Sequence, residues 1–219
     1  MKVHQELRIG PLTGGQENDF IAKITERLSG GWSRDAARED ELGRESLGRF
    51  RYYCFRCDRT AEREAAALYL VHPARQATSW LYVSNIVPQE RHELTYDQYN
   101  YILREFNERF AKQAGDDLNI PIELSAPEQS LENWLSPQTA QSLRRFSHAA
   151  NKSTGAGHPK DRERWCDFLI ALHRANEDPD MGLLERWLVE EEKWSEDIVS
   201  RLMRQFEFGL DLLNRFDPR

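Results

Sequence analysis

The sequence predicts an α+β fold, with a small antiparallel sheet flanked by helices in the N-terminal half and an all-helical C-terminal half. Strong β-type stretches are confined to the first half of the 219-residue chain. The connections between three of them are shorter than the dozen or more residues that a parallel crossover needs. After Pro127 the sequence shows helix-start signals and helical periodicity almost throughout. Ala126-Pro127 is therefore the predicted seam between a sheet region, 1–126, and a helical region, 127–219, which could pack together as one globular unit.

The chain begins with a period-two pattern, since polar and apolar residues alternate over residues 2–9 and indicate a half-buried strand. An amphipathic helix follows over 20–28, with Asn18 or Asp19 as its cap and a Ser-Gly-Gly turn at its end. Residues 33–48 are densely charged and carry few large apolar side chains. That composition indicates an exposed loop or a frayed helix.

Three consecutive strands rich in β-branched and aromatic residues are predicted next, over 49–57, 66–72 and 79–87. A long helix then begins at Thr95, where Gln98 completes a capping box. Gly115 is its predicted end, and a short strand over 120–124 follows. The sheet region therefore alternates strands and helices without any internal repeat.

Four helices are predicted in the C-terminal half. Ser136 caps the first, with Pro137 in its first turn, and Pro159 opens the second. A shorter helix runs through 183–188. Ser195 caps the last one, which has the most regular apolar stripe of the four.

The composition argues against several classes of protein. The net charge of −7 argues against nucleic acid as a partner, because a general nucleic-acid binder needs surplus Lys and Arg to displace counterions from phosphates. The chain has no apolar N-terminal segment and no run of about 18 apolar residues, so we expect no membrane association. Three cysteines do not make a disulfide framework. A soluble, cytoplasmic, bacterial-type protein without a cofactor is the resulting expectation.

The Cys54-Phe55-Arg56-Cys57 motif has the spacing of a zinc or redox site. It lies inside a predicted strand, where residues three apart point to opposite faces, so the two sulfurs should not converge. No second Cys/His pair of similar spacing is present, and Cys166 resembles a small apolar core residue. We therefore predict no metal site.

The segment Asn151–Asp161 is the least ordinary loop in the chain, because it combines two glycines, two hydroxyls and two lysines before a helix start. Backbone N–H groups next to Lys and a helix N-terminus are the components of an anion site. The order of a phosphate-binding loop is inverted here, and the preceding element is helical rather than a strand. The candidate anion ligands are Lys152, Ser153, Thr154 and His158.

An acidic cluster lies near the start of the last helix, and it consists of Glu190, Glu191, Glu192, Glu196 and Asp197. Acidic residues complement the positive end of a helix, and such runs are commonly a solvated face. The alternative is a docking patch for a basic partner protein, since charge complementarity speeds association.

Two functions are compatible with these patterns. The first is a non-catalytic protein-binding protein of the adaptor, antitoxin or immunity type, with another protein as its partner. It is favoured by the net charge and by the lack of a recognisable catalytic motif. The alternative is an enzyme or small-anion-binding protein that uses the 151–161 loop, with Arg or His supplied by the sheet half.

Overall fold

A six-stranded antiparallel sheet organises the N-terminal half of the computed structural model, which describes residues 1–13, 15–74 and 78–217. The strand order is β2-β3-β4-β5-β1-β6. The strands are β1 (Leu7–Thr13), β2 (Trp32–Arg34), β3 (Phe50–Cys57), β4 (Ala66–Pro73), β5 (Thr78–Pro88) and β6 (Ile122–Leu124). The antiparallel sheet and the helical second half confirm the predicted α+β class.

The three central strands match the predicted stretches closely. Each alternates its side chains across the sheet, so that Phe55, Leu68 and Leu81 share the face covered by helices. Helices α1 (Gln16–Arg27), α3 (Tyr96–Phe106) and α4 (Lys112–Leu118) cover this face, whereas α2 (Ala36–Glu45) contributes no residue to its core. Apolar residues of α1 and α3, including Phe20 and Phe106, complete one continuous core with that sheet face.

The start of the chain differs from the prediction. The β1 ladder begins at Leu7 rather than at residue 2 and continues to Thr13. Gln5 instead donates its backbone N–H to Asn100 Oδ1 at 2.7 Å, a long-range bond that no local pattern indicates. Helix α1 begins at Gln16, before the predicted cap, because Gly15 with φ of +92° turns the chain there.

The charged segment 33–48 forms the short strand β2 and helix α2. No residue of α2 is buried, which agrees with an exposed helix. The Thr95–Gln98 capping box of α3 is present as predicted. The helix continues through a π-helical segment, Asn107–Ala111, into α4 and passes the predicted end at Gly115.

Gly115 has a packing role instead of ending the helix. A Cβ atom added there would lie 2.6 Å from Ile122 Cδ1 and 2.9 Å from the Ile120 carbonyl oxygen. Only glycine therefore lets α4 approach β6 this closely. Asn119, in the left-handed conformation with φ of +54°, ends the helix.

The second half is helical, as predicted. Its helices are α5 (Pro137–Ala149), α6 (Pro159–Ala175), α7 (Met181–Arg186) and α8 (Glu196–Phe216). Ser136 caps α5 and accepts a bond from the Thr139 N–H. Its core includes several aromatic residues, and Phe146 lies between Trp165 and Trp194 at ring distances of 4.9 and 5.4 Å.

The chain divides into two compact units, residues 2–127 (the sheet unit) and residues 128–219 together with Met1 (the helical unit). Each unit has its own apolar core. Among the described residues, no helix is both long and apolar enough to cross a membrane.

Candidate active site

A cluster of buried polar side chains lies on the helix-covered face of the sheet unit. Four elements contribute to it: Glu17 from α1, Tyr53 from β3, His72 from β4 and Ser79 from β5. The three strand residues converge because side chains alternate across a strand. Tyr53, His72 and Ser79 are each two residues from a core residue of the same strand, so they point to the same face as that residue. The four residues are 4–7% exposed, so the cluster lies just beneath the surface.

Three of these side chains lie in a chain of polar contacts. Ser79 Oγ lies 2.7 Å from His72 Nε2, and His72 Nδ1 lies 3.2 Å from Glu17 Oε2. His72 Nδ1 also lies 3.5 Å from Arg51 Nη2, which can only donate, whereas the Glu17 carboxylate can only accept. In the tautomer with the proton on Nδ1, that proton is directed at Glu17, and Nε2 has a lone pair that can accept the Ser79 hydroxyl proton. This is the relation between nucleophile, base and orienting carboxylate that nucleophilic catalysis requires.

The Glu17 carboxylate is fixed by three further interactions. Tyr53 donates its hydroxyl to Oε1 at 2.7 Å, and Arg51 Nη2 lies 2.8 Å from Oε2. Glu17 also lies in the first turn of α1, where the helix dipole favours negative charge. These contacts fix the orientation of the buried carboxylate.

The surroundings change the pKa values of two side chains in the cluster. Burial lowers the pKa of His72; Glu17 opposes this shift and Arg51 adds to it. Burial raises the pKa of Tyr53, and its bond to Glu17 raises it further. At neutral pH the imidazole is therefore uncharged and able to accept a proton, while the phenol stays protonated.

The lowered pKa of His72 predicts an acid-sensitive fold. Its contribution to stability is fully present above the unfolded pKa of about 6.5 and is lost as pH falls through the lower folded pKa. We expect wild type to lose stability relative to His72→Gln between pH 7.5 and 5, because the glutamine cannot titrate. Urea unfolding of both proteins at several pH values gives their free energies of unfolding. A difference between the two free energies that does not change with pH would contradict the prediction.

The predicted anion-binding loop lies in the helical unit and uses its polar groups internally. Ser153 donates its backbone N–H and hydroxyl to Asn151 Oδ1, and the Thr154 hydroxyl lies 3.4 Å from the Asn151 carbonyl oxygen. His158 Nδ1 accepts the Lys160 N–H at the start of α6. Lys152 bonds the Glu192 carbonyl oxygen and lies 3.6 Å from its carboxylate.

Three members of the predicted acidic patch also have partners. Glu190 lies 3.1 Å from Arg186, and Glu191 lies 3.1 Å from the Met1 ammonium. Glu192 accepts the Ser147 hydroxyl at 2.7 Å, in addition to its contact with Lys152. The structure therefore joins the two predicted sites, because Glu192 belongs to one and Lys152 to the other.

The other two acids, Glu196 and Asp197, are exposed in the first turn of α8. Within the described part of the chain neither forms an ion pair. Their charges complement the positive end of the helix. A docking role for the acidic patch thus stays a prediction that would rest mainly on these two residues.

The cysteines show no paired arrangement. Cys54 and Cys57 are free and buried, and Cys166 is free and exposed. Burial raises the pKa of the Cys54 thiol to about 11, and nearby Asp35 adds to the shift. A thiol with a raised pKa is a poor nucleophile at neutral pH. Among the described residues, no group of three or more His, Cys, Asp or Glu side chains is placed to hold a metal ion.

Comparison of the chain with protein-family models, with curated proteins and with solved structures gives no match. Any function must therefore be argued from the geometry of the residues themselves.

Proposed function

We propose that the sheet unit carries a hydrolytic active site with Ser79 as the nucleophile, His72 as the general base and Glu17 as the orienting carboxylate. The observation that supports it is the Ser79–His72–Glu17 chain, with distances of 2.7 and 3.2 Å. A buried polar network can also be purely structural, so the proposal depends on the reactivity of the serine.

The reaction follows from the positions of the protons. His72 Nε2 takes the hydroxyl proton while Ser79 Oγ attacks the carbonyl carbon of an ester, and Glu17 stabilises the imidazolium through Nδ1–H. The imidazolium then gives its proton to the leaving alcohol as the ester bond breaks, which leaves an acyl-serine. A water molecule attacks this intermediate with His72 as base, releases the carboxylic acid and restores the serine.

Arg51 and Tyr53 act as positioning residues, because both contact Glu17. The Arg51 side chain is 47% exposed, so its guanidinium also brings positive charge to the solvent side of the cluster. Such a charge can stabilise an oxyanion that forms during acyl transfer. Since only 7% of Ser79 is exposed, small acyl groups are the expected substrates.

A small fluorophosphonate ester tests the reactivity of Ser79 in the full-length chain. We expect one covalent adduct by intact mass, mapped to Ser79 by peptide sequencing and lost in Ser79→Ala. Ser153→Ala is the matched control, because Ser153 is exposed and bonded only to Asn151 within the described residues. An unlabelled wild type, or an adduct at another residue, would overturn the proposal.

Protein binding is the second candidate function, as the charge pattern of the sequence suggests. A specific structural feature favours it, namely the open outer edge of the sheet at β6. Unpaired strand edges are templates for the addition of another chain.

A further inference from the structure

Strand β6 leaves two residues with their backbone groups directed away from the sheet. Gly10 N–H donates to the Pro121 carbonyl, and Ser125 N–H donates to the Glu6 carbonyl, both at 2.9 Å. These bonds show which residues direct their backbone N–H and C=O groups at β1. They are residues 121, 123 and 125. The N–H and C=O groups of Ile122 and Leu124 therefore point outward. They make no hydrogen bond to any described residue.

A groove of about 680 Å³ runs along this edge, between β6 and the end of α4. Ile122 and Leu124 line it on the strand side, and Lys112, Asp116 and Asn119 line it on the helix side. Lys112 and Asp116 are exposed, and neither forms an ion pair with the described residues. The groove thus offers two outward backbone pairs and one charge of each sign.

Asn107 provides an independent sign of a missing ligand. It is 8% exposed and lines the groove, yet its Oδ1 atom is buried and has no hydrogen-bond partner among the described residues. It lies in the π-helical segment between α3 and α4, a type of distortion that often marks functional sites. A buried amide oxygen without a partner requires an explanation. Because this oxygen has almost no accessible surface, a donor from a ligand reaches it only if the amide turns toward the groove.

We propose that the groove along β6 binds an extended segment of a partner protein, which adds to the sheet as a seventh strand. Its backbone pairs with Ile122 and Leu124, which are about 6.8 Å apart in a strand, a spacing that another extended backbone matches. One of its polar side chains donates to Asn107 Oδ1 when the amide turns toward the groove. This inference gives the protein-binding candidate a surface and does not depend on the chemistry of Ser79.

A second copy of this chain is a poorer occupant. Symmetric antiparallel pairing of two β6 strands about their centre would place Glu123 opposite Glu123. Like charges directly opposite each other on neighbouring strands are destabilising. A segment with a different sequence avoids this repulsion and can also pair with Lys112 and Asp116.

The test uses phage-displayed random heptapeptides, panned on the full-length Ser79→Ala protein so that serine chemistry cannot interfere. The most enriched peptide is synthesised and titrated by fluorescence anisotropy. Leu124→Pro removes one outward N–H without removing a bond to β1, and proline is tolerated at such edge positions. We expect this variant and Asn107→Leu each to raise Kd at least about tenfold. Glu26→Ala, the control, should change it less than about twofold, because Glu26 lies on α1 and does not line the groove.

Amide NMR keeps the test decisive if Leu124→Pro fails to fold. Peptide binding should shift the Ile122 and Leu124 amide signals and slow their hydrogen exchange, while the Glu123 amide, already directed at β1, should change little. Two results would overturn the inference. One is that no enriched peptide binds with Kd below about 1 mM. The other is that a peptide binds wild type, Leu124→Pro and Asn107→Leu equally.

Discussion

Replacing His72 by glutamine is expected to slow the reaction of Ser79 with a fluorophosphonate by about 10³-fold or more. Glutamine can still bond to the serine hydroxyl, but it cannot take its proton, and the hydroxyl is a weak nucleophile without a base. Intact-mass spectrometry at timed intervals gives the rate for both proteins. Labelling of His72→Gln at the wild-type rate would show that the imidazole is not the base.

Tyr53→Phe is the matched control for this experiment. It removes the hydrogen bond from Tyr53 to Glu17 but leaves the contacts of His72 with Ser79 and Glu17 in place. We expect it to slow labelling by less than about tenfold, since it acts only through the orientation of Glu17. A loss as large as that of His72→Gln would mean that the whole cluster collapses when any member is removed.

Local patterns were sufficient to predict most of the fold. The strands β3, β4 and β5 have strong β-type sequences and short connections, so their positions and antiparallel pairing follow from neighbouring residues. The start of β1 could not be predicted in that way. Residues 5 and 6, which precede it, bond Asn100 and Ser125, which are about a hundred positions away in the chain.

The buried cluster was not predicted, because Glu17 is far in sequence from His72 and Ser79 and the three residues match no motif. One signal does exist in the sequence. His72 lies an even number of residues from Leu68 and Leu70 on the same strand, so its side chain points to the same face. Glu17 likewise falls on the helical face of Phe20 and Ile24. A polar residue at a core-facing position needs a partner, and only the fold shows which partner it finds.

In the helical unit, the predicted anion loop and acidic patch were each derived from local composition. Sequence could not show that Lys152 and Glu192 lie together, because helices α6 and α7 lie between them in the chain. Their contact gives the least ordinary loop of the chain a structural explanation, in which its lysine pairs with an acid of the helical unit. Phosphate binding at Lys152 stays a prediction that would have to compete with this pair.

Replacing Glu17 by alanine is expected to destabilise the sheet unit by about 3–5 kcal/mol. The substitution leaves the buried Tyr53 hydroxyl without its acceptor and deprives Arg51 and His72 of their carboxylate partner. Glu17→Gln keeps an oxygen acceptor and should cost less, about 1–2 kcal/mol. Hydrogen exchange of peptides from β3, β4 and β5 under mild urea reports on this unit alone.

Glu26→Ala on the same helix is the control for the loss of a glutamate as such, because the Glu26 side chain is 65% exposed. We expect it to change stability by less than about 0.5 kcal/mol. If the amide hydrogens of β3, β4 and β5 exchanged as slowly in Glu17→Ala as in Glu26→Ala, the Glu17 carboxylate would not be needed to hold the cluster together. If Glu17→Gln kept nearly all the stability but lost most of the Ser79 labelling, the charge of Glu17 would be needed for reactivity rather than for folding. That separation is expected of a catalytic carboxylate, whereas in a purely structural network stability alone would respond.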